Sequence, residues 1–440
     1  MTPERDRLVK KMFDTALKEK MNQLARKYDY GLIFELWTRL AKTGCVKSYF
    51  CKRWNPNMTI MEGMDCLDDY FTGLEALLQK RQVAGDCRQQ KNKETEDVIG
   101  KAGKEDMMIR MGVIGYGYWG PNIVRNFNSL DGSRVVAVCD LNEELLKKAQ
   151  KAYPHLRVTT RSDELISATD VDVIAIVTPV FTHFELAKKA LEMGKHVLVK
   201  KPFTYTTAQA EELIELAEKR HLKILVDHTF LYTGAVRKIK QLIEDGTLGD
   251  LCYFDSTRVN LGLFQHDVNV VWDLAPHDLA IMDYLIQEKP TAVVATGQAH
   301  INGMEDMSYI TVYFPNKIIA HINVNWLSPV KVRTTLIGGL KKMLVWNDLD
   351  PDEKIKVYDK GVEVTTKNGV YNLLVSYRSG DMWAPQLEQG EALRLLAETF
   401  IGCIGNGKTP INDGMAGLRV VRILEAANKS LKKKGEVVYL

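Results

Sequence analysis

The sequence predicts an α/β protein in two parts. A doubly wound parallel sheet is expected over residues 108–229, followed by an α+β part over 230–440 built on a large, mostly antiparallel open sheet. Two observations carry this expectation. Between residues 108 and 229, short apolar runs of strand length alternate with helical stretches, as in a sheet whose two faces are both covered by helices. After Phe230 the rhythm changes to alternating runs in succession, joined by Gly and Asn turns.

The elements follow in chain order. Residues 5–28 carry Val9, Phe13, Leu17, Met21, Leu24 and Tyr28 at helical spacing, and Leu32 to Trp37 continues the pattern. Trp54-Asn55-Pro56-Asn57 marks a turn, and residues 68–79 read as helix again. Residues 1–81 are therefore expected to form a helical extension, and the polar, charged stretch 82–107 a linker. Strand 111–114, helix 121–130, strand 134–139 and helix 142–152 come next. Strand 172–177, helix 184–192, strand 196–199, helix 207–220 and strand 223–226 complete the first part. In the second part, helices are expected at 234–244 and 276–286, with strands at 251–257, 291–296, 308–314, 318–324, 334–337 and 342–346.

Composition narrows the function classes. A 45% hydrophobic and 26% charged chain of 440 residues is ordinary for a globular protein of two or three domains. Its net charge of +3 gives no argument for nucleic acid or a membrane surface as partner. No apolar run reaches the length of a membrane span, and the charged N-terminus does not read as a secretory signal. Seven cysteines without a C-x-x-C pair suit reduced thiols in the cytoplasm and suggest no zinc site.

The most informative stretch is Gly112-Val113-Ile114-Gly115-Tyr116-Gly117-Tyr118-Trp119-Gly120. A strand runs into Gly115-x-Gly117-x-x-Gly120, and Pro121 opens a helix. Strand, glycine turn and helix N-terminus together make a dinucleotide fingerprint. The next strand ends in Asp140, twenty residues after Gly120, where an acid meets the adenosine ribose hydroxyls. Leu141-Asn142-Glu143 supplies no cation for a 2′-phosphate, so NAD is favoured over NADP. Tyr116, Tyr118 and Trp119 lie within the fingerprint, and Trp119 either packs against the cofactor or covers the sheet.

Ligands of such sheets lie beyond the carboxyl ends of the strands. Those ends carry Thr178-Pro179 with His183 shortly after, Lys200-Lys201-Pro202, and His228-Thr229. Together with the fingerprint and the later Asp273-x-x-x-His277, they fall in the order found in the glucose-fructose oxidoreductase/inositol dehydrogenase family, Gfo/Idh/MocA, which residues 108–440 resemble. Within it, Val226 to Tyr232, Trp272 to Asp278 and Pro410 to Val421 are similar to the branch acting on nucleotide-linked amino sugars. The resemblance implies a Rossmann domain, NAD as cofactor and oxidation of the 3-hydroxyl of a UDP-N-acetylhexosamine or its uronate. It also implies a homodimer or homotetramer paired through the C-terminal sheet. The ketone formed would suit a partner aminotransferase.

Oxidation of a secondary alcohol needs a hydride acceptor, a base for the hydroxyl proton and a donor for the developing alkoxide. His277 is the expected base, since imidazole titrates near neutrality. Lys201 is expected to hydrogen-bond the hydroxyl oxygen, as the family lysine does. Asp273, four residues before His277, is expected to orient the imidazole or contact the sugar. No metal is needed.

Each assignment has a structural rival. His277 between Pro276 and Asp278 also suits the first turn of a helix. Lys201 reads otherwise as a turn lysine, His183 as a helix cap, and His228 as a satisfied polar residue at a strand end rather than a substrate contact. Thr178, Pro179, His183 and Lys200 are placed on the cofactor side. In the resembling branch, residues 260–269 face the sugar nucleotide, which makes Arg258, Asn260 and Asn269 candidates for substrate contacts. One departure stands out: the family commonly has Glu-Lys-Pro where this chain has Lys200-Lys201-Pro202. A second cation would either lower the pKa of Lys201, easing its role as a neutral base, or disturb cofactor placement. A free sugar or cyclitol as substrate, or a non-catalytic dinucleotide sensor, are the alternative readings.

Overall fold

The computed structural model describes residues 108–262, 264–365 and 374–440, excluding the side chains of 362–379. The expected extension over 1–81 and linker over 82–107 lie outside the described residues.

The first sheet has six strands: β1 (Ile109–Ile114), β2 (Ser133–Cys139), β3 (Arg157–Thr159), β4 (Val173–Ile176), β5 (His196–Lys200) and β6 (Ile224–Asp227). Their order is β3-β2-β1-β4-β5-β6, with every neighbouring pair parallel. The interleaved helices are α1 (Gly120–Asn128), α2 (Glu143–Ala152), α3 (Ser162–Ile166), α4 (His183–Glu192) and α5 (Thr207–Lys219). β4 is buried along its whole length, and so is β6, because helices cover both faces. Strand order reverses between β1 and β4, and that switch point opens the crevice in which ligands sit. The three-residue β3 and five-residue α3 are too short to leave a periodic signal, and the sequence reading passes over them.

The second sheet has nine strands in the order β14-β13-β12-β11-β7-β10-β9-β8-β15. They are β7 (Leu251–Leu261), β8 (Ala292–Gln298), β9 (Met307–Tyr313), β10 (Ile319–Asn325), β11 (Leu327–Gly339), β12 (Met343–Asn347), β13 (Ile355–Thr365), β14 (Leu374–Trp383) and β15 (Val438–Tyr439). All pairs are antiparallel except β10 with β7. Its helices are α6 (Gly234–Glu244), α7 (Val270–Leu285), α8 (Ala392–Asn406) and α9 (Gly414–Lys432). Along β10, Ala320, Ile322 and Val324 are buried while Ile319 and His321 face out, the period-two pattern of a sheet covered on one side.

β13, β14, β15, α8 and α9 lie beyond the last element expected from the sequence, and two further features depart from expectation. α7 begins at Val270 rather than at 276, because Asn269 caps it by accepting the Trp272 N–H, and Pro276 lies inside the helix. The reading of Pro276 as a first-turn residue is thereby corrected. The chain also returns to the first sheet near its end. Asn412 bonds the backbone of Val226 in both directions, and Glu391 pairs with Arg125 and Asn126 on α1.

Candidate functional site

The glycine turn assigns its three glycines different tasks. Gly115 has φ of +100°, and a Cβ there would stand 2.5 Å from the carbonyl oxygen of Val177. At Gly120 a Cβ would stand 2.4 Å from the Gly115 carbonyl oxygen. A Cβ on Gly117, in contrast, would meet nothing within 4 Å. Packing of the protein itself thus requires two of the glycines, and the third keeps space clear for a ligand. Trp119 caps α1 without a side-chain hydrogen bond, and Pro121 has no N–H. Asn122 and Ile123 donate to the Trp119 carbonyl, so the Gly120 N–H is the first-turn donor that faces an incoming anion. Asp140 accepts the Tyr116 N–H at 2.6 Å and the Asn142 N–H at 2.8 Å, which fixes its carboxylate beside the turn. Turn, helix end and acid together fit the pyrophosphate and ribose of a dinucleotide. Tyr116 contributes through its backbone alone, since its ring is buried in the core. Tyr118 is exposed and lines the cleft.

The strand ends complete the crevice. Thr178, Pro179, Lys200 and Lys201 line a cleft of about 600 Å³ shared with Trp119, Asp273 and His277. His183 does not reach it, contrary to its placement as a cofactor contact. Its ring is buried, with Nδ1 2.8 Å from the Pro202 carbonyl oxygen and Nε2 2.8 Å from that of Thr178. It ties together the two turns that carry Thr178 and Lys201. Burial keeps its pKa down against the pull of those carbonyls.

Lys200 finds its countercharge on the neighbouring strand. Its register partner is Asp227, whose Oδ2 accepts from the Lys200 ammonium at 2.9 Å and from the Trp119 indole at 2.8 Å. The Thr229 hydroxyl donates to the other oxygen. The ammonium also lies 3.8 Å from the centre of the Trp119 ring. Burial works against ionisation of Asp227, yet Lys200, Thr229 and Trp119 together hold its pKa below the usual carboxylate value. The cation expected either to ease the role of Lys201 or to disturb cofactor placement is therefore paired, and it anchors Trp119 at the start of α1.

Lys201 donates to the backbone carbonyl of Asp273 and approaches Oδ1 of the same residue at 3.4 Å. Pro276 has no N–H for the carbonyl of Trp272, so the α7 ladder is interrupted at the turn Lys201 meets. Burial lowers the Lys201 pKa, and Lys200 pushes in the same direction. Asp273 Oδ2 accepts from the Trp326 indole at 3.1 Å. Its hydrogen bonds go to lysine and tryptophan, not to His277, which corrects the orienting role expected from their spacing. His277 is set instead by the Phe230 ring, edge-on at 5.1 Å between centroids. Its pKa is driven well below the ordinary histidine value, first by burial and then by Lys201, Arg258 and Lys200. Burial and the neighbouring cations thus keep the imidazole neutral and disfavour its protonated form.

None of the four expected substrate contacts lines the cleft. Arg258 is buried, bonded through Nε and Nη2 to Asp278 at 2.6 and 3.0 Å, with its guanidinium over Phe230. Asn269 caps α7 and donates to Glu305 and Asn428. His228 is buried outside the cleft lining, with neither ring nitrogen hydrogen-bonded. Asn260 stands beside Gly262 at the end of β7, also outside the cleft lining. The cleft wall is made by residues not singled out from the sequence: Arg333 from β11, and Gln265, Asp267 and Val268 from the loop before α7. Gln265 and Asp267 lie in the stretch read as a substrate loop, which was the available signal; nothing marked Arg333.

Two buried neutral histidines have a stability consequence. An unfolded histidine titrates near 6.5, whereas burial brings the pKa of His228 to about 4. Between those values the unfolded chain binds more protons than the folded one, so stability is full above about pH 6.5 and falls as pH drops toward 4. Across that window His228 costs about 1.4 kcal/mol per pH unit. Urea midpoints should therefore fall steeply between about pH 6.5 and 5, and His228→Gln should flatten the slope. An unchanged slope in the variant would contradict the assignment.

Comparison with known proteins places this geometry. Residues 109–228 match the family described as Gfo/Idh/MocA oxidoreductase, NAD-binding Rossmann fold, and residues 236–344 match the C-terminal domain of the same family. The chain belongs to the Gfo/Idh/MocA family. NAD is the cofactor of its Rossmann sheet. Among Gfo/Idh/MocA relatives, an uncharacterized oxidoreductase of Escherichia coli (strain K12) is 31% identical over 260 residues, covering 56% of this chain and 73% of the relative. UDP-N-acetylglucosamine 3-dehydrogenase of Acidithiobacillus ferrooxidans is 27% identical over 322 residues, 71% of this chain and 94% of that protein. A solved structure of that dehydrogenase superposes with a TM-score of 0.62 at 26% identity, covering 74% of this chain and 98% of its own. Scyllo-inositol dehydrogenase from Lactobacillus casei, solved with NAD(H) and scyllo-inositol, shares the fold at 18% identity and a TM-score of 0.62, covering 76% of this chain and 99% of its own. Among the described residues, no helix is long and apolar enough to cross a membrane, and no three His, Cys, Asp or Glu side chains cluster as metal ligands.

Proposed function

We propose that this Gfo/Idh/MocA oxidoreductase oxidises a secondary hydroxyl, at C3, of a nucleotide-linked sugar such as UDP-N-acetylglucosamine or its uronate. The observation that carries the reading is the placement of Lys201 and His277 in one cleft with the strand ends beside the glycine turn. Bound NAD supplies the hydride acceptor. Lys201, held by Asp273, donates a hydrogen bond to the substrate oxygen and offsets its charge as the C–H bond breaks. His277 takes the hydroxyl proton. Trp326 and the Asp273 carbonyl keep the lysine aimed, and Tyr118, Gln265 and Val268 narrow the access of water.

The nucleotide part rests on the A. ferrooxidans relative, whose length this chain nearly spans, and on Arg333, a guanidinium at the cleft wall suited to a diphosphate. Pairing of Lys200 with Asp227 supports turnover over the sensor reading, since the added charge is balanced where it stands. Tyr309, Tyr313, Ile319 and Leu336, exposed on the second sheet, support assembly of copies through that surface. The 3-keto product is a substrate for a transaminating partner.

The test is nicotinamide reduction by the purified protein with UDP-N-acetylglucosamine, its uronate, free N-acetylglucosamine and an inositol as separate substrates. Reduction confined to the two UDP-sugars is expected. Faster turnover of the free sugar or the inositol would overturn the nucleotide assignment and favour the sugar or cyclitol reading.

A further inference from the structure

Trp119 is tied to the far side of the first sheet. It sits in the turn between β1 and α1, and its Nε1 donates to Asp227 Oδ2 at 2.8 Å. Asp227 ends β6, and β4 and β5 lie between β1 and β6 in the sheet. Neighbouring strands run about 4.8 Å apart, so β1 and β6 stand roughly 14 Å from each other. The side chain of a turn residue thus reaches past the carboxyl ends of two strands, at the edge of the sheet where ligands of this fold bind. Trp119, Lys200 and Thr229 line the cleft together with Lys201 and His277, whereas Asp227 is buried behind them.

The tie is built from charge. Asp227 Oδ2 accepts both the indole N–H and the Lys200 ammonium, the latter at 2.9 Å, and the Thr229 hydroxyl donates to the other oxygen. The register of β5 and β6 sets Lys200 opposite Asp227. The ammonium also stands 3.8 Å from the centre of the indole ring, so Lys200 holds the ring by its face while Asp227 holds it by its edge. The Lys200 side chain is 20% exposed and that of Asp227 0%, which puts the cation at the cleft surface and its countercharge beneath it. Burying a carboxylate is unfavourable unless it is paired and hydrogen-bonded. An indole that merely covered the sheet would be stabilised by apolar contact, with no buried charge behind it. A ring held on two sides has its rotamer set before a ligand arrives, as the wall of a binding cleft requires.

We propose that the Lys200–Asp227 pair positions Trp119, holding its indole as the wall that retains the dinucleotide in the cleft between the glycine turn and Lys201. Trp119 is the contact in this arrangement, and Lys200 and Asp227 act through it. The proposal rests on NAD as the cofactor and is independent of which sugar is oxidised. Its consequence is kinetic. With the ring held, the cofactor leaves slowly. With the ring released, that wall opens and dissociation accelerates, while the turn from Gly115 to Gly120 and the carboxylate of Asp140 keep their places.

The experiment mixes NADH-loaded protein with excess NAD in a stopped-flow instrument, with no sugar present. Energy transfer from tryptophan to the bound dihydronicotinamide reports the loss of NADH, and the chain has seven tryptophans, so the signal survives removal of one. Trp119→Phe, which keeps a ring but lacks the Nε1 donor, and Lys200→Met should each speed dissociation about tenfold, as expected for losing one charge-assisted contact. Because the two residues act as one unit, the double variant should be no faster than either single variant. Lys200→Arg keeps a cation over the indole and should stay within about threefold of wild type. Lys200→Met leaves Asp227 unpaired, so Lys200→Met/Asp227→Leu, with neither charge present, stands in if the single variant folds poorly. Thermal unfolding without cofactor reads the fold of each variant separately. Wild-type dissociation rates in Lys200→Met and in its stand-in would overturn the proposal. So would multiplying effects in the double variant, or a Lys200→Arg protein that loses NADH as fast as Lys200→Met.

Discussion

Lys201→Met is expected to lower kcat by about a hundred- to ten-thousand-fold, the range for losing a positioned acid-base or oxyanion-stabilising group. Affinity for NAD should change little. Lysine and methionine have similar length, and the position is buried, so a neutral thioether fits where a desolvated ammonium stood. What is lost is the donor beside the substrate oxygen. Asp273 keeps its bond from Trp326, so the wall of the cleft should persist. Steady-state kinetics with NADH titrations by fluorescence would separate the two effects. A variant with near wild-type kcat would remove Lys201 from the chemistry, and one that lost NAD binding as well would make it a structural lysine.

Gly117→Val is expected to abolish measurable NAD binding in a protein that still folds. The geometry permits this separation because a Cβ at Gly117 meets no protein atom within 4 Å. The added methyl groups would instead occupy the space where a pyrophosphate approaches the backbone. Gly120→Val provides the contrast. Its Cβ would collide with the Gly115 carbonyl, so that variant should lose stability as well as cofactor. Thermal unfolding with and without NADH reads both outcomes. Retained cofactor affinity in Gly117→Val would mean that the dinucleotide does not cross the turn at that glycine.

Much of this was legible in the sequence because local rules and tertiary structure agree there. The apolar runs of β1, β2, β4 and β5 are buried on both faces, so composition alone marks them. Asp140 was legible through its spacing from the turn. The start of α7 was not, because Pro276 reads as a first helical residue, whereas the true cap, Asn269, lies among other polar loop residues. Arg258 illustrates a different limit. An arginine in a strand looks like a surface group until Asp278, twenty residues on, is folded against it. Lys200 is the sharpest case. It reads as a charge conflict in one strand, and the residue that resolves it, Asp227, becomes its neighbour only through the parallel register of β5 and β6. His228 likewise carried no signal for its burial outside the cleft, since a strand-end histidine is the same in sequence whether its ring faces a substrate or the protein interior.

The central claim is that hydride leaves a sugar carbon in the cleft held by Lys201 and His277. The most direct measurement uses UDP-N-acetylglucosamine deuterated at C3 in ordinary water, with the nicotinamide product recovered and analysed by mass. The account predicts deuterium in the reduced nicotinamide of the wild-type protein and none formed by Lys201→Met above background. Nicotinamide reduced without the label, or label washed into water, would contradict it.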